Sequence, residues 1–153
     1  MKPNPLTLRP GLYAIPPATL TGRALLDAAA AALAGGAVCL QYRAKPCADI
    51  ETARALRELC RRRGATFIVN DDPRTAREAD ADGVHLGRDD AALDAARELL
   101  GSDRIIGVSC YDDFERARRL AARGADYLAF GSVAASPTKP TAPRCPLEHL
   151  GRA

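Results

Sequence analysis

Three short clusters of polar residues carry the chemistry open to this sequence. Gln41, Arg43 and Lys45 occupy alternate positions, Asn70, Asp71 and Asp72 are consecutive, and Ser136, Thr138 and Lys139 close the set, with Asp89, Asp90 and Ser109 between them. Arg43, Lys45 and Lys139, with the hydroxyls of Ser136 and Thr138, form a donor set suited to a polyanion such as pyrophosphate. Asp71 and Asp90 supply hard carboxylate oxygens of the kind that hold Mg²⁺ against phosphate. Asn70 and Gln41 offer amide hydrogen bonds to a heterocycle. No Cys–His or Ser–His nucleophile pair stands out, because His149 lies on a tail and His85 has no evident partner. The chemistry expected is electrostatic stabilisation of a leaving group, not covalent catalysis.

The elements that must position these residues follow from the apolar pattern. Short β-branched runs predict strands over 11–15, 37–42, 66–70, 83–86, 105–109 and 126–131. Ala/Arg/Glu/Leu stretches predict helices over 22–34, 49–63, 73–79, 90–100 and 113–123, and a sixth begins near Pro146. Asp72-Pro73 reads as a helix cap with proline at the first position. Asp112 with Glu115 fits a capping box, and Gly35, Gly64, Gly101 and Gly124 stand where left-handed helix ends are wanted. Strands alternating with helices imply an α/β protein with a parallel sheet, either a barrel or a doubly wound sheet. The polar clusters fall at or just past the carboxyl ends of five successive predicted strands, the edge where both architectures bind ligands. Taken singly, Arg43 and Lys45 read as a solvated loop pair, Asp72 as a cap and Asp89 as a first-turn charge. His85 reads equally as a structural residue of the barrel interior. Their convergence on one edge is what favours a site.

Composition narrows the class. The chain has 153 residues, 47% of them hydrophobic and 27% charged, with a net charge of +3. That charge gives no reason to expect nucleic-acid or membrane partners. Five irregularly spaced cysteines argue against a disulfide framework and for the reducing cytoplasm. The opening residues lack the apolar core of a secretory leader. A complete barrel needs at least about 200 residues, which is more than this chain has.

In its motifs the chain resembles the thiamine-phosphate synthase family nearly end to end. Gln41-Tyr42-Arg43-Ala44-Lys45 is similar to its Q-x-R-x-K element, and Phe67-Ile68-Val69-Asn70-Asp71-Asp72 to its N-D-D strand end. Asp82-Gly83-Val84-His85-Leu86-Gly87 with Asp89-Asp90, then Ile106-Gly107-Val108-Ser109 and Ser136-Pro137-Thr138-Lys139, follow in family order. The resemblance implies a (β/α)₈ TIM barrel and a Mg²⁺-dependent coupling of a pyrimidine pyrophosphate with a thiazole phosphate. It implies Mg²⁺ on Asp71 and Asp90, with pyrophosphate on Arg43, Lys45, Asn70, Thr138 and Lys139. It also implies Gln41 facing the pyrimidine and Ser109 near the reacting centre. Arg88 departs from the family, standing where glutamine is usual.

Only strands one to six and their helices are expected in these 153 residues. The expectation is a single barrel domain over residues 1–153 that is incomplete at the C-terminus, without strands seven and eight. Two alternatives to an active synthase stay open. One is a non-catalytic fragment that binds the pyrimidine pyrophosphate. The other is a thiazole tautomerase-like isomerase, which would not need the metal and pyrophosphate residues retained here.

Overall fold

The computed structural model describes residues 8–44, 46, 48–89, 91–134 and 143–151. In chain order they form β1 (Leu12–Ala14), α1 (Gly22–Ala34), β2 (Ala37–Tyr42), α2 (Ile50–Arg63), β3 (Thr66–Asn70) and α3 (Pro73–Glu78). Then follow β4 (Gly83–Leu86), α4 (Ala91–Leu100), β5 (Ile105–Tyr111), α5 (Phe114–Ala122), β6 (Tyr127–Phe130) and α6 (Leu147–Leu150). The strands pair in parallel in simple succession, β1-β2-β3-β4-β5-β6. A doubly wound sheet would reverse this order at its switch point; the uninterrupted order is that of a (β/α) barrel.

The sheet curls into an arc. Neighbouring strands lie about 4.8 Å apart, so a flat sheet would separate its first and sixth strands by more than about 20 Å. Yet Tyr13 of β1 and Tyr127 of β6 share a hydrogen bond of 2.8 Å. The convex face packs on the helices: Leu40, Phe67, Val69, Val84, Ile106 and Val108 join Leu25, Leu56, Leu93 and Leu120 in the main core. On the concave face Cys39, Ile68 and Ile105 form a small cluster with Tyr13 and Tyr127. Side chains alternate along a strand. Gln41 therefore shares the concave face with Cys39, Asn70 with Ile68, and Ser109 with Ile105.

Two aspartates pin the amino-terminal ends of the strands in the same way. Asp82, before β4, accepts a 2.8 Å bond from the Phe67 N–H and pairs at 3.2 Å with Arg57 of α2. Asp126, before β6, accepts a 2.7 Å bond from the Ile106 N–H and pairs at 2.6 Å with Arg97 of α4. Each carboxylate thus ties a strand to its neighbour and to a helix on the convex side.

The cap expected at Asp72 is present, its side chain accepting from the N–H groups of Arg74 and Thr75, whereas Asp49, expected inside its helix, is the cap of α2 and accepts from the Thr52 N–H. The capping box expected at Asp112 is wrong by one residue. Asp113 is the cap, accepting from the Arg116 N–H, while Glu115 turns outward to Arg118. Gly35 is not left-handed either, with φ −75°; the positive φ falls on Gly36. Strand β5 runs on to Tyr111 through a register shift after Ser109, beyond its predicted end, and Tyr111 itself has φ 60°.

Candidate active site

At the carboxyl edge of the strands lies an open cavity of about 580 Å³. Its walls include Gln41, Arg43, Asn70, Asp71 and Ser109, five of the residues singled out in the sequence, together with His85. Lys45, Asp90, Ser136, Thr138 and Lys139 lie outside the described residues.

The loop leaving β2 is held where the Tyr42 hydroxyl accepts from the Asp49 N–H at 3.2 Å. Arg43 begins that loop and faces the cavity, and its Nε is buried with no hydrogen-bond partner among the described residues. A buried N–H of a cation left unpaired is costly unless a ligand meets it. Asn70 ends β3, and its amide donates to Asp71 Oδ2 at 2.8 Å. Asp71 takes a left-handed backbone, φ 61°, while its N–H donates to the His85 carbonyl at 2.8 Å. Aspartate tolerates this conformation better than most residues, and it turns the carboxylate onto the cavity wall. Asp72 keeps both oxygens on α3, one of them accepting from the Thr75 hydroxyl at 2.7 Å. It is a cap and not a ligand. Among the described residues no three His, Cys, Asp or Glu side chains gather to share a metal.

His85 overturns one expectation. It has two partners: Nδ1 lies 2.8 Å from the Tyr127 hydroxyl and Nε2 lies 2.9 Å from Ser109 Oγ. The string continues, since Tyr127 meets the Tyr13 hydroxyl at 2.8 Å, and Gln41 Nε2 donates to Tyr13 at 2.9 Å. Burial drives the His85 pKa down to about 4 against an opposing pull from Asp71, so the imidazole is neutral near pH 7. Burial also raises both tyrosine hydroxyls above their ordinary values. A serine beside histidine does exist here, but the histidine is already tied to a tyrosine.

A glycine is what allows this row. His85, Gly107 and Tyr127 stand side by side on β4, β5 and β6. A Cβ on Gly107 would lie 1.9 Å from Tyr127 Cζ, so only glycine lets the ring cross β5 to reach His85.

Two further residues brace the edge. Arg116 of α5, only 7% exposed, donates from Nε to the Ser109 carbonyl at 2.9 Å and from Nη2 to the Gly87 carbonyl at 3.0 Å. It thereby joins the ends of β4 and β5, and burial lowers its pKa from the usual value. Arg88 lies 4.7 Å over the ring of Tyr111, a cation–π contact at the cavity rim. The sequence pattern did not single out Tyr13, Tyr127, Tyr111 or Arg116. The available signals were tyrosines in otherwise aliphatic strands and an arginine on the apolar stripe of α5.

The chain matches the family model for thiamine monophosphate synthase over residues 12–153. It is 53% identical over 146 residues to the thiamine-phosphate synthase of Methylococcus capsulatus, covering 94% of this chain and 65% of that protein. It is 54% identical over 141 residues to the thiamine-phosphate synthase of Chromobacterium violaceum, covering 90% of this chain and 68% of that one. Among solved structures, thiamine phosphate pyrophosphorylase from Pyrococcus furiosus superposes with a TM-score of 0.78 at 36% identity, covering 92% of this chain and 67% of that one. The chain therefore spans about two thirds of the length of these relatives. With the family model, the relatives and the barrel order in agreement, the chain belongs to the thiamine monophosphate synthase family.

Proposed function

We propose that the chain acts in thiamine-phosphate synthesis. The reaction moves a 4-amino-2-methylpyrimidin-5-ylmethyl group from its pyrophosphate to 4-methyl-5-(2-hydroxyethyl)thiazole phosphate, releasing pyrophosphate. The observation that carries this reading is Arg43, which lines a cavity shared with Asn70 and Asp71 and whose buried Nε has no hydrogen-bond partner among the described residues. A polyanion is the ligand that would satisfy it. As the methylene–oxygen bond ionises, charge gathers on the departing pyrophosphate, where Arg43 with Lys45, Asn70, Thr138 and Lys139 would hold it. Lone-pair capture of the cationic methylene by the thiazole nitrogen completes the transfer. Gln41 would face the pyrimidine, and Ser109 would donate a hydrogen bond beside the reacting carbon.

The donor set fits Mg²⁺, which takes one or two carboxylates and completes its shell with water and phosphate oxygens. Asp71 with Asp90 would hold it, and when bound it supplies positive charge to the pyrophosphate. The reading places this work in the cytoplasm, in keeping with free thiols at Cys39, Cys60, Cys110 and Cys145. No helix among the described residues is long and apolar enough to cross a membrane.

The test incubates the chain with Mg²⁺ and both substrates and measures thiamine phosphate. Product that disappears in Asp71→Ala supports the synthase. Isomerisation of a thiazole carboxylate phosphate without metal would favour the tautomerase instead. A folded sample with neither activity that still binds the pyrimidine pyrophosphate would be the non-catalytic fragment.

A further inference from the structure

We propose that Tyr13 and Tyr127 are positioning residues, and that they order the string Gln41–Tyr13–Tyr127–His85–Ser109 in one direction so that Ser109 presents its hydroxyl proton to the cavity. The inference deepens the synthase reading and rests on it for the identity of the acceptor. It follows from donor counting that starts with the Gln41 amide donating to Tyr13. Gln41 donates from Nε2 to the Tyr13 oxygen, so the Tyr13 proton must go elsewhere. Its strong acceptor is the Tyr127 hydroxyl at 2.8 Å. The Cys39 thiol also lies beside Tyr13, but sulfur is a weak acceptor. Tyr127, having accepted, donates to His85 Nδ1 at 2.8 Å. A neutral imidazole that accepts at one nitrogen carries its proton on the other. Nε2–H then donates to Ser109 Oγ at 2.9 Å, and the serine proton is left for the cavity that Ser109 lines.

The two ends of the string therefore differ in kind. Gln41 turns its carbonyl oxygen, an acceptor, away from Tyr13, whereas Ser109 is a donor. An aminopyrimidine carries both counterparts, an amino N–H and a ring nitrogen lone pair. In this direction His85 cannot take a proton from Ser109, so the serine serves as a hydrogen-bond donor and not as a nucleophile. Gly107 is the structural trace of the arrangement: without its missing Cβ, Tyr127 could not lie across β5.

The experiment records long-range ¹H–¹⁵N spectra of the whole chain at pH 7. It contains only two histidines, so a His149→Gln sample assigns His85. The expected result is a single Nε2–H tautomer. Tyr127→Phe keeps the ring and the fold but removes the hydroxyl. It should abolish the single-tautomer pattern and lower kcat for thiamine phosphate about tenfold, the size of one hydrogen bond. KM for the pyrimidine pyrophosphate should stay within about threefold, because the pyrophosphate contacts are untouched. Tyr13→Phe, which removes the preceding donor, should shift the tautomer ratio in the same sense. An Nδ1–H tautomer in the unaltered chain, or an unchanged tautomer in Tyr127→Phe, overturns the ordering. Unchanged kcat in Tyr127→Phe overturns the positioning role and leaves the synthase reading intact. The expected tautomer in a chain that makes no thiamine phosphate upholds the string and removes the synthase reading.

Discussion

The Tyr127 hydroxyl reaches Nδ1 of His85 at 2.8 Å across an intervening strand, over the bare α-carbon of Gly107. Residues on β4 and β6 are not neighbours in the sheet, and only the empty position between them lets their side chains meet. Gly107→Ala should therefore displace Tyr127 and cost roughly 1–3 kcal/mol through overpacking. In a Gly107→Ala, Tyr127→Ala pair, urea unfolding should give a combined cost smaller than the sum of the two. Strict additivity would mean that the crossing ring is not the source of the strain.

Arg43 should dominate affinity for the leaving group. Charge-assisted hydrogen bonds contribute about 1.5–3 kcal/mol, so Arg43→Ala should weaken pyrophosphate binding by roughly tenfold to a hundredfold. Arg43→Lys should recover part of the loss, since it restores charge without the guanidinium fork. Calorimetric titration with pyrophosphate and Mg²⁺ checks both variants.

Asp82 and Asp126 should matter for stability and not for binding, since they lie at the end of the barrel away from the cavity. Removing Asp82 leaves Arg57 and the Phe67 N–H short of a partner in a largely buried place. Asp82→Ala should cost about 3 kcal/mol. Asp126→Ala should cost less, because its side chain is 36% exposed and solvent screens the pair. Urea midpoints measure the costs, and pyrophosphate affinity in the same samples should be unchanged.

His85 makes stability depend on pH. Its folded pKa is about 4 against an ordinary 6.5. As pH falls below 6.5 the unfolded chain takes up a proton at this position while the folded chain resists it. Stability is therefore lost progressively between pH 6.5 and pH 4, by up to about 3 kcal/mol. Replacing His85 with glutamine should flatten that part of the curve relative to the unaltered chain. Parallel curves would show that His85 titrates normally in the fold.

Much of the architecture was legible because local signals carry it. Asp72 marks a helix start through bonds only two or three residues long, and the alternating elements reveal the parallel sheet. Asp112 misled because Asp113 beside it is the cap, accepting from the Arg116 N–H with no Glu or Gln three residues on, while Glu115 pairs with Arg118. The register shift after Ser109 lengthened β5 in a way no composition rule foretells. That Gln41, Arg43, Asn70, Asp71 and Ser109 line one cavity was readable, since each sits at or near a strand end. The partners of His85 were not readable. Tyr127 is 42 residues away, and Tyr13 is 114 residues from Tyr127. Such contacts exist only once the sheet has curled.

That curl gives the tyrosine contact a mechanical meaning. Tyr13 and Tyr127 belong to the two outermost strands of the described sheet, yet their hydroxyls meet. Any splaying or tightening of either margin would change the separation of their oxygens. The orientation of one proton at Ser109 would then register it, with no loop having to move. If the string is ordered as proposed, the cavity floor would act as a gauge of barrel curvature, and the carboxyl edge of the strands would be coupled to how the sheet is closed.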